Sequence, residues 1–147
     1  MRIFQALEIS ASALTAERLR LDIIANNIAN VNTTRTPAGG PYRRQFPVFA
    51  VREGMVDPQA PFPARLWPPL TNGVRVVGVF EDRSAPRMVY NPSHPDANAE
   101  GYVAMPNIDL VTEMVDMISA ARAYEANVTV INEAKSMALK ALEIGRR

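Results

Sequence analysis

The chain has 147 residues, 48% of them apolar and 21% charged, with a formal net charge of +1 and no cysteine. This composition fits one folded domain, is too apolar for an intrinsically disordered chain, and excludes disulfides and thiolate metal sites. Charge is spread evenly, +1 over 1–36, +1 over 37–106 and −1 over 107–147, so no segment carries the basic stripe that nucleic acid requires.

All 12 prolines lie between Pro37 and Pro106, and of the 7 glycines only Gly145 lies outside Gly39–Gly101. Proline inside a helix removes a backbone donor and clashes with the preceding turn, and glycine loosens the helix. The pattern therefore predicts a mainly α protein with a small β region. Long helices in 1–36 and 107–147 pack together as a coiled-coil domain, and 37–106 is an insertion of short strands and loops.

In the first segment Leu7, Leu14, Leu21 and Ile28 recur every seven residues, with Ala11, Ile24, Ala25 and Val31 beside them. That is an apolar stripe at helical spacing. A helix from Ile3 to Val31 would extend about 43 Å. Arg20 and Asp22 fall on other faces and read as solvated. Glu8, Ser10, Ser12 and Thr15 break what would be the apolar core of a signal peptide, and no small-residue cleavage site follows. The expectation is a chain that stays in the cytosol or leaves it by a route that cleaves no signal.

The middle reads as short strands. Tyr42–Arg52 is β-prone but cut by Pro47, hence an edge strand at best. Residues 54–72 hold five of the prolines and read as an irregular loop. Gly73–Phe80 is the clearest strand, with Val74, Val76 and Gly78 on one face and Val77 and Val79 on the other. Arg87–Tyr90 and Tyr102–Met105 are shorter candidates, separated by a turn-rich loop. Together they predict a small sheet that leans on the helices.

The last segment alternates in steps of four and three through Leu110, Met114, Met117, Ala121, Tyr124, Val128, Ile131, Lys135, Ala138 and Leu142. This is the spacing of a coiled-coil seam. Asn107 or Asp109 suits the N-cap, and Asp109, Glu113 and Asp116 suit the positive end of the helix dipole. Gly145 suits the stop. A second apolar line, Val111, Ile118 and Leu139, widens the face beyond what one partner helix would cover. Further helices from other subunits are expected, with the ends loose before assembly.

Catalytic chemistry is not expected. His94 is the only histidine, and no acidic cluster offers a metal site. Ser93, His94 and Asp96 are neighbours in a loop, where triad geometry is rare. No cofactor, metal or small-molecule substrate is called for. The tripeptide His94-Pro95-Asp96 also occurs in the J-domain of Hsp70 co-chaperones, between two antiparallel helices. Here a strand candidate precedes it, and a turn capped by His94 is the plainer reading. On periodicity alone, a cytosolic coiled-coil adaptor would show the same helices.

The run ANNIANVNT at Ala25–Thr33 resembles the N-terminal signature of the flagellar axial proteins of bacteria, the rod and hook family. SAARAYEAN at Ser119–Asn127 is similar to the second signature of that family. TTRTPAGGPYRR at 33–44, VYNPSHPDANAEGYV at 89–103 and the run from Glu113 to Arg146 resemble its proximal-rod members. Asn91, Ser93, Asn98 and Met105 depart from the pattern, as does the proline-rich loop.

The resemblance implies a structural protein with no catalytic residue. It implies export through the flagellar type III apparatus without a cleaved signal peptide. The destination would be the basal body, in the rod that spans the periplasm, where the protein serves motility. The implied partners are copies of the chain, other rod proteins of FlgB, FlgF and FlgG type, and a base adaptor of FliE type. The terminal helices would form the inner core of the filament. The residues expected at that interface are Leu7, Leu14, Leu21, Ile28, Leu110, Met114, Met117, Ala121, Tyr124, Val128, Ile131 and Leu142. Asn30 is expected there too, and Asn26, Asn27, Asn127 and Asn132 are expected to set the register, because a mispaired buried amide costs about 1–3 kcal/mol.

Overall fold

The computed structural model describes residues 2–52 and 73–145. Two helices, α1 (Arg2–Ala29) and α2 (Leu110–Ile144), enclose four strands in sequence: β1 (Gln45–Val51), β2 (Val74–Glu81), β3 (Arg87–Tyr90) and β4 (Tyr102–Met105). The expected loop at 54–72 lies outside the described residues.

The helices pack on each other and run antiparallel, since Asn27 meets Glu113 while Arg20 meets Asp116. Asp109 caps α2: one carboxylate oxygen accepts the Val111 N–H (3.2 Å) and the other the Thr112 hydroxyl (2.6 Å). At the other end Gly145 has φ −72°, so the stop does not use the left-handed freedom of glycine. α1 ends through its asparagines: the Asn30 amide donates to the Asn26 backbone carbonyl (2.9 Å) and to its side-chain oxygen (3.0 Å). No asparagine adopts positive φ among the described residues.

The seam differs from the sequence expectation. The buried residues of α2 are Glu113, Ala120 and Ala134, whereas Leu110, Met114 and Leu142 are exposed. The helix turns its small and polar row toward α1, because close approach of two helices needs small side chains at the contact. Met117, Tyr124, Ile131 and Ala138, the other half of the expected seam, are half-buried beside that row. Ala16, Ile23 and Ile24 supply the apolar part from α1.

The strands make two separate two-stranded pairs rather than one small sheet. β1 pairs antiparallel with β2, with Pro47 opposite Val79 and a register shift after Val48 that leaves Val77 without a partner. A two-stranded pair has only edge strands, so the missing donor of Pro47 is tolerated. β2 alternates as predicted, with Val74, Val76 and Gly78 half-buried and Val77 and Val79 exposed. This pair lies on α1.

Gly73 fixes the approach of β2 to α1. Its φ is +104°, and a Cβ there would collide with the Ser12 hydroxyl. That hydroxyl donates to Ile9 O (2.7 Å) and accepts the Val74 N–H (3.1 Å). β3 pairs antiparallel with β4, and Tyr90 and Tyr102 meet edge-on at 5.3 Å. Among the described residues this second pair packs on neither helix. Asp96 in its loop accepts a hydrogen bond from Thr34 (2.8 Å), which ties it to the turn after α1.

Candidate assembly interface

One polar side chain joins three segments at the mouth of the helix pair. Asn27 is buried on α1, and both groups of its amide are fully used. Nδ2 donates to Gln45 O (2.8 Å) and to Glu113 Oε2 (3.1 Å). Oδ1 accepts the Gln45 N–H (2.9 Å) and the Tyr42 hydroxyl (3.2 Å). An amide offers two donors and two acceptor sites, and all four are satisfied. Toward Gln45 the side chain imitates a strand neighbour, so β1 begins where Asn27 places it.

Glu113, on α2, is buried with a formal charge. Arg44 Nε donates to its Oε1 at 2.6 Å and Asn27 to its Oε2, so the carboxylate is paired on both oxygens. Asp116, one turn on, lies 3.6 Å from Arg44 and 3.5 Å from Arg20. Arg20 is therefore a bridge between helices and not the solvated side chain its position suggested. Glu17 Oε2 is buried with no hydrogen-bond partner, and the Arg20 guanidinium at 3.8 Å offsets its charge. Burial pushes the Tyr42 hydroxyl above its ordinary value, and the charges of Glu81 and Glu113 push the same way.

The residues expected at an assembly interface fall into three groups. Asn27 is internal. Leu7, Leu14, Leu21 and Ile28 on α1, and Met117, Ala121, Tyr124, Asn127, Val128 and Ile131 on α2, are half-buried at the margins of the helix contact, and Asn30 is half-buried in the turn after α1. Asn127 donates to Ala123 O of its own helix (2.8 Å). Leu110, Met114, Leu142, Asn26 and Asn132 are exposed, and Asn26 donates to the Tyr42 hydroxyl (3.3 Å). Large apolar residues on α2 with more than half their area exposed include Val111, Val115, Ile118, Met137, Leu139 and Ile144. A monomer rarely exposes so many large apolar side chains on one helix without using them.

Sequence reasoning missed Arg44 and the inward role of Glu113. The signal was present: Glu113, Ala120, Asn127 and Ala134 recur every seven residues, a small and polar row beside the apolar one. His94 is the cap of a turn, its Nδ1 accepting the Asp96 N–H at 3.1 Å. That leaves no helix–loop–helix setting for the tripeptide.

Residues 7–35 match the family described as "Flagella basal body rod protein", and residues 99–144 match "Flagellar basal body rod FlgEFG protein C-terminal". The chain is 51% identical to the flagellar basal-body rod protein FlgC of Borreliella burgdorferi, over 98% of both chains. Against the FlgC proteins of Bacillus subtilis and Escherichia coli O6:H1 the identity is 45% and 43%, over 99% of this chain and 100% of each relative. The chain belongs to the FlgC family of flagellar basal-body rod proteins. It is a structural subunit of the basal-body rod, serves motility, and is not an enzyme. The two matched segments of this rod protein are those that meet at the polar junction: Asn27 lies in the first and Glu113 in the second. Arg44, between them, closes it.

Proposed function

We propose that the protein is a subunit of the proximal rod, the start of the flagellar drive shaft, and polymerises with other axial proteins through its terminal helices. The observation that carries this reading is the division of α2. Its small and polar row is spent on α1, while its large apolar residues face outward and need partners. Residues 1–36 and 107–147 form the helical domain that enters the filament core as a coiled coil, and 37–106 forms the outer region. Leu7, Leu14, Leu21, Ile28, Met117, Ala121, Tyr124, Val128 and Ile131 line the margins of the assembled contact, and Leu110, Met114 and Leu142 lie at its centre. The neighbours are copies of the chain, rod proteins of FlgB, FlgF and FlgG type, and the FliE-type base adaptor.

Export through the type III apparatus, without a cleaved signal, fits a helix pair held by three alanines, Ile23, Ile24 and one polar junction. A core so small gives up little on unfolding. Folding is then completed in the rod, across the periplasm. The test is deletion of the gene followed by electron microscopy of basal bodies. Bases without a rod, with rods and swimming restored by complementation, are the expected result. Intact rods in the deletion strain would overturn the reading.

A further inference from the structure

α2 is held to the rest of the molecule unevenly. Among the helices and strands it packs on α1 alone, whereas β1 and β2 lie on α1 as well as on each other. α1 and the β1–β2 pair therefore form one block, to which α2 is added. Among the described residues, every hydrogen bond or ion pair between α2 and residues 37–106 comes from Arg44, which reaches Glu113 (2.6 Å) and Asp116 (3.6 Å).

The segment that carries Arg44 is seated without help from α2. Asn27 holds both backbone groups of Gln45 and accepts a hydrogen bond from the Tyr42 hydroxyl, and the Asp82 N–H donates to Arg44 O (2.7 Å). Asn27 and Gln45 are 18 residues apart in sequence, Asn27 and Glu113 86. The shorter loop closes at the smaller entropic cost, so the block forms more readily than the helix pair.

α2, in turn, does not close without that segment. Glu113 is only 1% exposed, and among the described residues Arg44 is the one cation paired with it. With Arg44 elsewhere, closing α2 on α1 would bury a carboxylate that keeps only the Asn27 amide as a donor. Removing one partner of a buried ion pair is strongly destabilising, because the other charge is left uncompensated. The buried apolar residues that would have to outweigh this on the two helices are Ala16, Ile23, Ile24, Ala120 and Ala134, three of them alanines.

We infer that α2 is a conditional strap, which closes on α1 only when Arg44 is seated. A chain whose 42–45 segment is out of place keeps α2 open, with Glu113 in water. The middle of the chain therefore licenses the pairing of its two ends, and a subunit in which β1 has not docked presents no fixed α2 surface. This dependence holds whatever α2 then assembles with, so it stands apart from the reading of the protein as a proximal-rod subunit.

Amide hydrogen exchange of the purified full-length protein tests it. The native chain is compared with Arg44→Met, which keeps an unbranched side chain without the charge, and with the double variant Arg44→Met, Glu113→Gln. In Arg44→Met the amides of α2 from Glu113 to Ala120 should exchange about a hundred-fold faster than in the native chain. The strand amides of β1 and β2 should stay within about three-fold of native, because the block opens separately from the strap. In the double variant the buried group is neutral and still accepts from Asn27, so α2 should return to within about ten-fold of native. Unchanged exchange of α2 in Arg44→Met would show that the helix closes without the arginine. Acceleration of β1 and β2 by the same factor as α2 would show that the block does not stand by itself. A double variant as fast as the single one would show that the charge of Glu113 is not what holds α2 off. Any of the three overturns the inference.

Discussion

Asn27 carries more of the architecture than any apolar residue on α1. Its amide is matched on both sides, so no other side chain of similar size reproduces it. Leucine would strand the Gln45 backbone groups and one oxygen of Glu113, at a cost of about 3 kcal/mol. Aspartate would be worse, because it places a second carboxylate against Glu113 and removes the donor. Urea unfolding should rank native above Asn27→Leu above Asn27→Asp. Glu113→Gln keeps the shape and an acceptor for Asn27 but loses the ion pair with Arg44. It should cost about 1–3 kcal/mol by the same measurement.

Asp109 gives a pH prediction. Hydrogen bonds from Thr112 and from the Val111 N–H hold its carboxyl below the ordinary value of 3.8. The depressed value means that its stabilisation is complete above pH 3.8 and is lost as pH falls through the folded-state value. Asp109→Asn should therefore show a flatter decline of stability below pH 4 in acid titrations followed by circular dichroism. An unchanged slope would show that the cap does not couple to folding.

At the scale of elements, both helices and all four strands were legible, for physical reasons that differ between them. The helices stood out because Pro and Gly are confined to the middle, which leaves the ends only one regular option. β2 was read correctly, faces included, because alternation of Val74, Val76 and Gly78 against Val77 and Val79 follows directly from the pleat. The helix contact was not legible. A pattern of apolar residues shows which face wants burial, but not whether a partner in the same chain will cover it. Here Ala120 and Ala134 let the helices approach closely, and Glu113 is buried because Arg44, distant in sequence, reaches it. A row with Glu and Asn in it does not look like a core until its partners are known. The division of the β region into two pairs was hidden for a similar reason, since strand pairing across a loop leaves no periodic mark.

Two predictions belong to this scale. Gly73→Ala places a Cβ against Ser12 at a φ that side chains rarely adopt, so it should lift the β1–β2 pair from α1 and cost about 1–3 kcal/mol. Ser12→Ala should relieve the collision only in part, because the backbone strain remains. Amide exchange should be slowest around Ile23–Asn27 and Glu113–Ala120, where the polar junction and the buried side chains lie, and faster toward the opposite end of the helix pair. Uniformly slow exchange along both helices would mean that the monomer is held by more than this junction.

At the scale of the whole molecule, the protein is divided between a small inside that joins the two helices and an outside on which α2 exposes large apolar side chains. The junction of Asn27, Arg44 and Glu113 fixes the helices and β1 relative to one another. The apolar surface of α2 is then presented on a rigid support. The proposed role in a drive shaft calls for both properties, since stiffness comes from side chains locked within the subunit as well as between subunits. Substitutions at the exposed positions should separate the two functions. They remove little that is buried in the monomer, so stability should shift by no more than about 0.5 kcal/mol, while assembly should be lost.

The most direct measurement combines both readouts on Met114→Glu, Ile118→Glu. The purified full-length double variant is unfolded in urea beside the native protein, and the same allele is tested for rods in isolated basal bodies. The account predicts an unfolding midpoint close to native and basal bodies without a complete rod. Normal rods would contradict it, because the exposed face of α2 would then have no part in assembly. A large fall in the midpoint would contradict it from the other side, by showing that the face supports the monomer.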